Sequence, residues 1–158
     1  RPGPAGRGGD AGAARAGQKE GRGHRLSFRV IGGLRVGGGG AVSEGTGENI
    51  FVVKNGKMYT PSPAASILEG ITRDSIMQVS KELEVQVMER DIARTELYTA
   101  DEVFFTGTAA EVTPIREYDD RQIGEGVRGP ITTQIQKAYF DAVQGKDPKY
   151  AHWLTYVK

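Results

Sequence analysis

The sequence of 158 residues contains no cysteine, which excludes disulfide bonds and thiolate metal sites. Its two histidines, His24 and His152, lie far apart in the chain, so we expect no zinc site and no other metal centre. No apolar run approaches the roughly 20 residues that cross a bilayer. The first residues also lack the apolar core of a signal peptide. We therefore expect a cytoplasmic protein without a membrane span.

Acidic residues are scarce in the first part of the chain. Residues 1–40 hold eight basic and two acidic residues, a net charge of +6, together with 14 of the 23 glycines. Residues 41–158 hold 13 basic and 18 acidic residues, a net charge of −5. Such a glycine-rich segment buries too little apolar surface to fold, so we predict disorder for 1–40, apart from a short strand at 26–31. Residues 41–158 are predicted to form one folded domain.

Three interpretations of residues 1–40 stay open at this point. A solvated tail is the simplest. A nucleic-acid-binding arm is disfavoured, because Phe28 is the only aromatic residue available for base stacking. The abrupt change of composition at Ala41 motivates the third hypothesis, that this segment is not the natural upstream sequence of the domain. An intact, in-frame transcript through the junction would contradict it.

Residues 41–158 show the alternating patterns of strands and helices. Asn55-Gly56 predicts a hairpin between a strand at 50–53 and one at 58–60. Thr72 is predicted to cap a helix that runs to about Leu83, and Gly129-Pro130 predicts the start of a second helix that Gly145 ends. The remaining predicted elements are an extended loop at 61–63, strands at 85–88, 101–106 and 112–118 with Pro114 at an edge or bulge, a short helix at 92–98, and a packed aromatic cluster at 150–157.

Three turns carry residues suited to a binding site. Ser-Glu-Gly-Thr-Gly-Glu-Asn at 43–49 predicts a tight turn that presents Glu44. The glycine and hydroxyl residues at 70–72 predict a helix start whose free amides favour a phosphate. The small residues of Gly-Thr-Ala-Ala-Glu at 107–111 would let a ligand reach the backbone, and Thr108 adds a hydroxyl. Each motif taken alone also fits an ordinary turn or helix cap.

Taken in order, these motifs resemble a known enzyme family. Ser-Glu-Gly-Thr-Gly-Glu-Asn, Gly-Ile-Thr-Arg-Asp at 70–74 and Phe-Thr-Gly-Thr-Ala-Ala-Glu-Val-Thr-Pro at 105–114 are similar to the C-terminal part of bacterial branched-chain amino acid aminotransferases, pyridoxal-phosphate enzymes of fold type IV. Leu-Tyr-Thr-Ala-Asp-Glu-Val at 97–103 and Lys-Tyr-Ala-His-Trp at 149–153 add to the resemblance. It covers residues 42–158 and implies an α/β fold, with a mixed sheet curled into a barrel-like domain and helices outside.

The resemblance also implies roles for individual residues. Glu44 matches the carboxylate that contacts the pyridine nitrogen of pyridoxal 5'-phosphate. Ile71 and Thr72 match the helix start that holds the cofactor phosphate, and Thr108 matches a second phosphate contact. The Thr108 and Ala109 amides match the turn that receives the substrate carboxylate. The implied activity is transfer of an amino group between leucine, isoleucine or valine and 2-oxoglutarate, in a homo-oligomer of two or more subunits.

One departure from the family bears on activity. The family's catalytic lysine, which forms a Schiff base with the cofactor, lies in a Lys-Ala-x-x-Asn-Tyr context upstream of the Ser-Glu-Gly turn. Lys19 is the only lysine in residues 1–40, and its neighbours do not match that context. We therefore expect no catalytic lysine in this chain, a truncated or frame-disturbed product, and little or no activity of the chain alone. The alternatives are a non-catalytic remnant or a related fold-type IV enzyme, such as a D-amino acid aminotransferase or an aminodeoxychorismate lyase.

Overall fold

The computed structural model describes residues 28–30, 33–37 and 40–157. In chain order its strands are β1 (Phe28–Val30), β2 (Leu34–Val36), β3 (Val42–Gly45), β4 (Asn49–Lys54), β5 (Lys57–Thr60), β6 (Val87–Glu89), β7 (Glu102–Gly107), β8 (Glu111–Tyr118) and β9 (Arg121–Gln122). The α-helices are α1 (Ile71–Glu82) and α2 (Pro130–Val143). Short 3₁₀ helices span Pro63–Ala65, Arg94–Thr99 and Pro148–Trp153.

One mixed sheet organises the described part of the chain. It has seven strands in the order β1-β8-β7-β4-β5-β6, with β9 paired to β8. The β1–β8 and β5–β6 pairs are parallel, and the other pairs are antiparallel. Strands β2 and β3 form a separate antiparallel ladder. The predicted α/β class and mixed sheet are thus confirmed, whereas the described strands form no closed barrel and the barrel-like curl stays a prediction.

Alternation along the strands divides the core between the two faces of the sheet. Phe51 and Phe104 point to one face and stack at 5.2 Å between ring centroids. Helices α1 and α2 cover this face with Ile76, Val79 and Ile135, which are fully buried. The opposite face carries Ile50, Val52, Val103 and Phe105, packed beneath residues 92–100. Full burial of each large apolar side chain contributes about 1.5–3 kcal/mol.

Two local features follow the sequence closely. The β4–β5 hairpin turns at Asn55 and Gly56, which both have positive φ (51° and 73°), as a type I′ turn requires. Asp101 supports this turn, because its carboxylate accepts the Asn55 N–H at 2.7 Å. This contact is the first cause of the lowered pKa of Asp101.

Helix α2 begins at Pro130, as predicted, and β7 caps it. The Glu102 carboxylate accepts the N–H groups of Ile131 (3.0 Å) and Thr132 (2.7 Å), two of the donors that a helix start leaves unpaired. The aromatic cluster predicted at 150–157 is confirmed only in its first part: Tyr150 is buried and lies 4.4 Å from Trp153 between ring centroids, whereas Tyr156 is 77% exposed.

Several boundaries differ from the sequence prediction. Residues 34–36 form β2 although disorder was expected there, because pairing with β3 supplies partners that this glycine-rich stretch lacks by itself. The rest of that prediction falls mainly on residues 1–27, outside the described ranges, and residues 28–30 of the predicted strand do form β1. The predicted helix at 92–98 is the 3₁₀ helix Arg94–Thr99. The loop predicted at 61–63 enters a 3₁₀ turn at Pro63, since proline suits a first helical position.

Candidate functional site

Glu44 lies in β3 and not in the turn that the sequence predicted. Pairing with β2 extends the strand through Gly45, so the turn follows Glu44 instead of containing it. The Glu44 residue is 8% exposed, and its Oε2 accepts the Leu68 N–H at 2.8 Å. Its Oε1 lies 3.4 Å from Nη1 of Arg35, whose side chain is 70% exposed. The structure therefore fixes one carboxylate oxygen and leaves the other beside a solvated cation.

The start of α1 is the second part of the site. Gly70 is the N-cap, with extended backbone (φ −67°, ψ 140°) and no side-chain cap, so Thr72 is already helical and is not the cap that the sequence predicted. The first helical bond is donated by Asp74 to the Gly70 carbonyl at 3.1 Å. The N–H groups at positions 71–73 are consequently left for an external acceptor. Thr72 is buried among them, while Ile71 is exposed.

Contact with β4 explains why the helix begins at Gly70. A Cβ at this position would lie 2.5 Å from Oδ1 of Asn49, so any other residue would displace that amide. Asn49 also donates from Nδ2 to the Leu68 carbonyl at 2.7 Å. A tertiary contact thus sets the helix boundary, which the local sequence pattern placed two residues later.

The turn between β7 and β8 is the third part. Thr108 and Ala109 are exposed at its tip, and the Thr113 hydroxyl braces it by donating to the Ala110 carbonyl at 2.6 Å. At its base, a Cβ on Gly107 would lie 3.2 Å from the Gly47 carbonyl, which places this turn against the β3–β4 turn. Small residues at both turns allow this approach.

The Leu68 backbone joins the first two parts. Its N–H binds Glu44 and its carbonyl binds Asn49, while Asn49 pairs across the sheet with Thr106 near the end of β7. The structure therefore brings Glu44 together with Ile71 and Thr72 through one short segment. Thr108 and Ala109 are linked to them less directly, through β7 and the adjacent turns.

The sequence analysis missed Asn49, Leu68 and Arg35 as members of this cluster. Asparagine is disfavoured inside strands, so Asn49 at the start of an apolar strand was a usable signal for a polar contact. Leu68 contributes only its backbone to these bonds, and nothing in its side chain indicated that. The position of Arg35 depends on β2, which was not predicted.

Two charged residues flank the cluster. Burial raises the pKa of the Glu48 carboxyl, which lies in the β3–β4 turn. Arg73, in the first turn of α1, is 5% exposed and donates from Nη2 to the Pro61 carbonyl (3.1 Å) and to Glu89. These bonds anchor the first turn of the helix to the ends of β5 and β6.

Comparison with known proteins settles the family. The model of the family described as amino-transferase class IV matches residues 33–118, more than half of the chain. The chain belongs to the class IV aminotransferases. A probable branched-chain-amino-acid aminotransferase of Aquifex aeolicus (strain VF5) is 63% identical over 117 residues, which cover 73% of this chain and 38% of that protein. The branched-chain-amino-acid aminotransferase of Pseudomonas aeruginosa is 56% identical over 119 residues, covering 75% of this chain and 38% of that protein.

Solved structures of this aminotransferase family share the fold. The T.th. branched-chain amino acid aminotransferase complexed with N-(5'-phosphopyridoxyl)-L-glutamate is 46% identical, with a TM-score of 0.76 over 79% of this chain and 41% of that one. The branched-chain aminotransferase of Thermoproteus uzoniensis with norvaline is 48% identical, with a TM-score of 0.74 over 77% of this chain and 40% of that one. The resemblance inferred from the sequence is thereby confirmed. The chain spans only about two-fifths of the length of these relatives.

Within 28–30, 33–37 and 40–157, no three histidine or acidic residues gather in an arrangement that suits a metal ion. No described helix combines the length and apolar character that a membrane span demands.

Proposed function

We propose that this class IV aminotransferase chain binds pyridoxal 5'-phosphate between Glu44 and the start of α1. The cofactor phosphate would be held by the amides of Ile71 and Thr72, with Thr108 as a second contact. Glu44 would hold the protonated pyridine nitrogen. The observation that carries this proposal is the Leu68 segment, which fixes a buried carboxylate and an open helix start beside each other.

The residues present fit such a ligand in charge and in hydrogen-bonding capacity. A helix N-terminus with unpaired amides favours a phosphate dianion. The protonated pyridine nitrogen needs an anion instead, and Glu44 supplies a carboxylate whose Oε2 accepts the Leu68 N–H. The Oε1 of Glu44 lies beside Arg35, whose side chain is mostly exposed. The Arg35 guanidinium could therefore turn into solvent and would not be left as a buried, unpaired charge. When bound, the cofactor acts as an electron sink for the α-carbon of an amino acid.

The proposed reaction is amino transfer between leucine, isoleucine or valine and 2-oxoglutarate. The names of the relatives support the branched-chain substrates, and a turn with Thr108 and Ala109 exposed at its tip suits the approach of a substrate carboxylate. A D-amino acid aminotransferase or an aminodeoxychorismate lyase on the same fold is the alternative. We further propose a homo-oligomeric, cytoplasmic parent enzyme in branched-chain amino acid biosynthesis.

We propose that this chain binds and orients the cofactor but does not transfer the amino group by itself. Proton transfer at the α-carbon needs a lysine amine. The described lysines with defined contacts are engaged elsewhere, Lys54 with Asp101, Lys137 with Asp141 and Lys149 with Glu82. The alternative of a non-catalytic remnant is compatible with cofactor binding, so binding and catalysis require separate tests.

Titration with pyridoxamine 5'-phosphate tests the binding site, because this form of the cofactor needs no lysine. We expect saturable, one-to-one binding by the purified chain. Glu44→Gln keeps the shape of the side chain and removes its charge, so binding should weaken about 10- to 100-fold, the equivalent of one charged hydrogen bond. Glu84→Gln, beyond the far end of α1, is the matched control and should bind like the wild type. If the Glu44→Gln chain bound pyridoxamine 5'-phosphate as tightly as the wild type, the assignment of Glu44 as a cofactor contact would be contradicted.

A further inference from the structure

Polar side chains of β3 and β4 bond to the segment that leads into α1. Leu68 is 69% exposed, Ser66 and Glu69 are exposed as well, and Ile67 between them is half-buried. The segment is fixed by three residues of β3 and β4. Ser43 donates to the Ala65 carbonyl at 2.7 Å, Glu44 accepts the Leu68 N–H, and Asn49 donates to the Leu68 carbonyl.

Asn49 is the member of this set that reaches the helix start itself. Its residue is 5% exposed, so both polar atoms of its side chain act inside the protein. Nδ2 holds the Leu68 carbonyl, and Oδ1 lies directly against Gly70. Gly70 in turn donates its N–H to the same Leu68 carbonyl at 2.9 Å. One carbonyl therefore receives two donors and fixes the three residues that precede the free amides of α1.

The distance between Glu44 and the free amides depends on this arrangement. Glu44 is tied to the N–H of Leu68, and α1 begins three residues later. If the Leu68 carbonyl were released, the segment could shift relative to β3, since none of the side chains at 66–69 is fully buried. Glu44 and the helix start would each stay intact, but their spacing would vary.

We infer that Asn49 is a positioning residue that sets the spacing between Glu44 and the anion-binding start of α1. It acts through the Leu68 carbonyl and without touching the ligand. This inference rests on the proposed function, since it assumes that one ligand spans both groups. It makes a specific demand: a ligand that needs both ends should depend on Asn49, whereas a ligand that needs only one end should not.

Three probes separate these cases. Pyridoxamine 5'-phosphate spans both ends, pyridoxamine has the ring alone, and inorganic phosphate has the anion alone. For Asn49→Ala we expect affinity for the spanning ligand to fall about tenfold, the equivalent of roughly one hydrogen bond. Affinity for each half ligand should change less than about threefold, within the spread expected for surface-like effects. A merely structural role would lower all three affinities together.

Matched variants separate positioning from loss of stability. Thr60→Val removes a buried hydroxyl that donates to the Ile50 carbonyl at 2.8 Å, away from Leu68. It should lower the melting temperature as Asn49→Ala does, and leave all three affinities unchanged. Asn49→Leu roughly keeps the side-chain shape, removes the donor and adds no charge beside the anion site, so it should reproduce the selective loss even if the alanine variant folds poorly.

Amide hydrogen exchange supplies a readout that needs no ligand. Release of the Leu68 carbonyl should speed exchange at Leu68 and Gly70 in the Asn49 variants and not in Thr60→Val. If the wild-type chain binds pyridoxamine 5'-phosphate, two results would overturn the positioning role of Asn49. These are unchanged exchange at Leu68 and Gly70 in the Asn49 variants, and an equal loss of affinity for all three ligands. No binding by the wild type would instead overturn the proposed function and this inference with it.

Discussion

Replacing Gly70 with alanine should break the contact between the start of α1 and β4. The new Cβ would lie 2.5 Å from Oδ1 of Asn49, against an optimum of roughly 3.5 Å for non-bonded heavy atoms. Asn49 would have to move by about 1 Å to restore that separation. Its bond to the Leu68 carbonyl, 2.7 Å long, would then exceed the usual limit.

The expected cost follows from three contributions. Loss of the hydrogen bond costs about 1 kcal/mol, and the overpacking costs about 1–3 kcal/mol. Restricting the unfolded chain at a former glycine returns about 0.4–1 kcal/mol. The net loss in the free energy of unfolding is therefore about 2 kcal/mol, which lowers the melting temperature by about 4–8 °C in a chain of this size.

A double-mutant cycle followed by urea and thermal unfolding tests this origin of the cost. In an Asn49→Ala background the colliding oxygen is absent, so Gly70→Ala should be close to neutral. The cycle should then show a coupling of about 2 kcal/mol, as expected for residues in contact. An equal effect of Gly70→Ala in both backgrounds would refute the steric argument.

Three further outcomes are expected. Glu102→Gln should lower the free energy of unfolding, measured in urea, by about 2 kcal/mol, because α2 loses its charged cap. The control Glu125→Gln, at an exposed residue, should change it by less than about 0.5 kcal/mol. Equal effects of the two variants would contradict the capping role of Glu102. Because the pKa of Asp101 is lowered in the folded state, its bond to Asn55 stabilises the fold above the unfolded-state pKa of about 4, and this stabilisation is lost as pH falls through the folded-state pKa. Asp101→Asn should therefore make the free energy of unfolding fall less steeply with decreasing pH in the acid range. An unchanged pH dependence would contradict this role of Asp101. Incubation with pyridoxal phosphate and borohydride should label lysines sparsely and without a dominant site, and the chain alone should show no transamination. One dominant labelled lysine, found by peptide mass, would contradict the expected absence of a catalytic lysine.

Local chemistry made much of the fold predictable. Asn55-Gly56 encodes its own turn, and Pro130 encodes the first position of α2, so neither depends on distant residues. The cap of α2 by Glu102 was not predictable in this way, because the carboxylate arrives from β7, about 30 residues away along the chain.

The candidate site shows the same division. The motifs around Glu44, Thr72 and Thr108 indicated which segments matter, and the phosphate argument for the helix start needs only local sequence. The strand position of Glu44 and the cap at Gly70 were mispredicted, because β2 and Asn49 determine them through contacts across the fold. The roles of these residues toward a cofactor stay predictions.

The most direct test of the central claim is a backbone amide NMR titration of the chain with pyridoxamine 5'-phosphate. Our account predicts saturable shifts at Leu68, Ile71, Thr72 and Thr108, and none at the opposite end of α1. That end faces a surface depression lined by Gln78, Lys81, Glu82, Lys149, Tyr150 and His152, where two lysines could attract a phosphate without forming an enzyme site. Shifts confined to this depression would contradict the account.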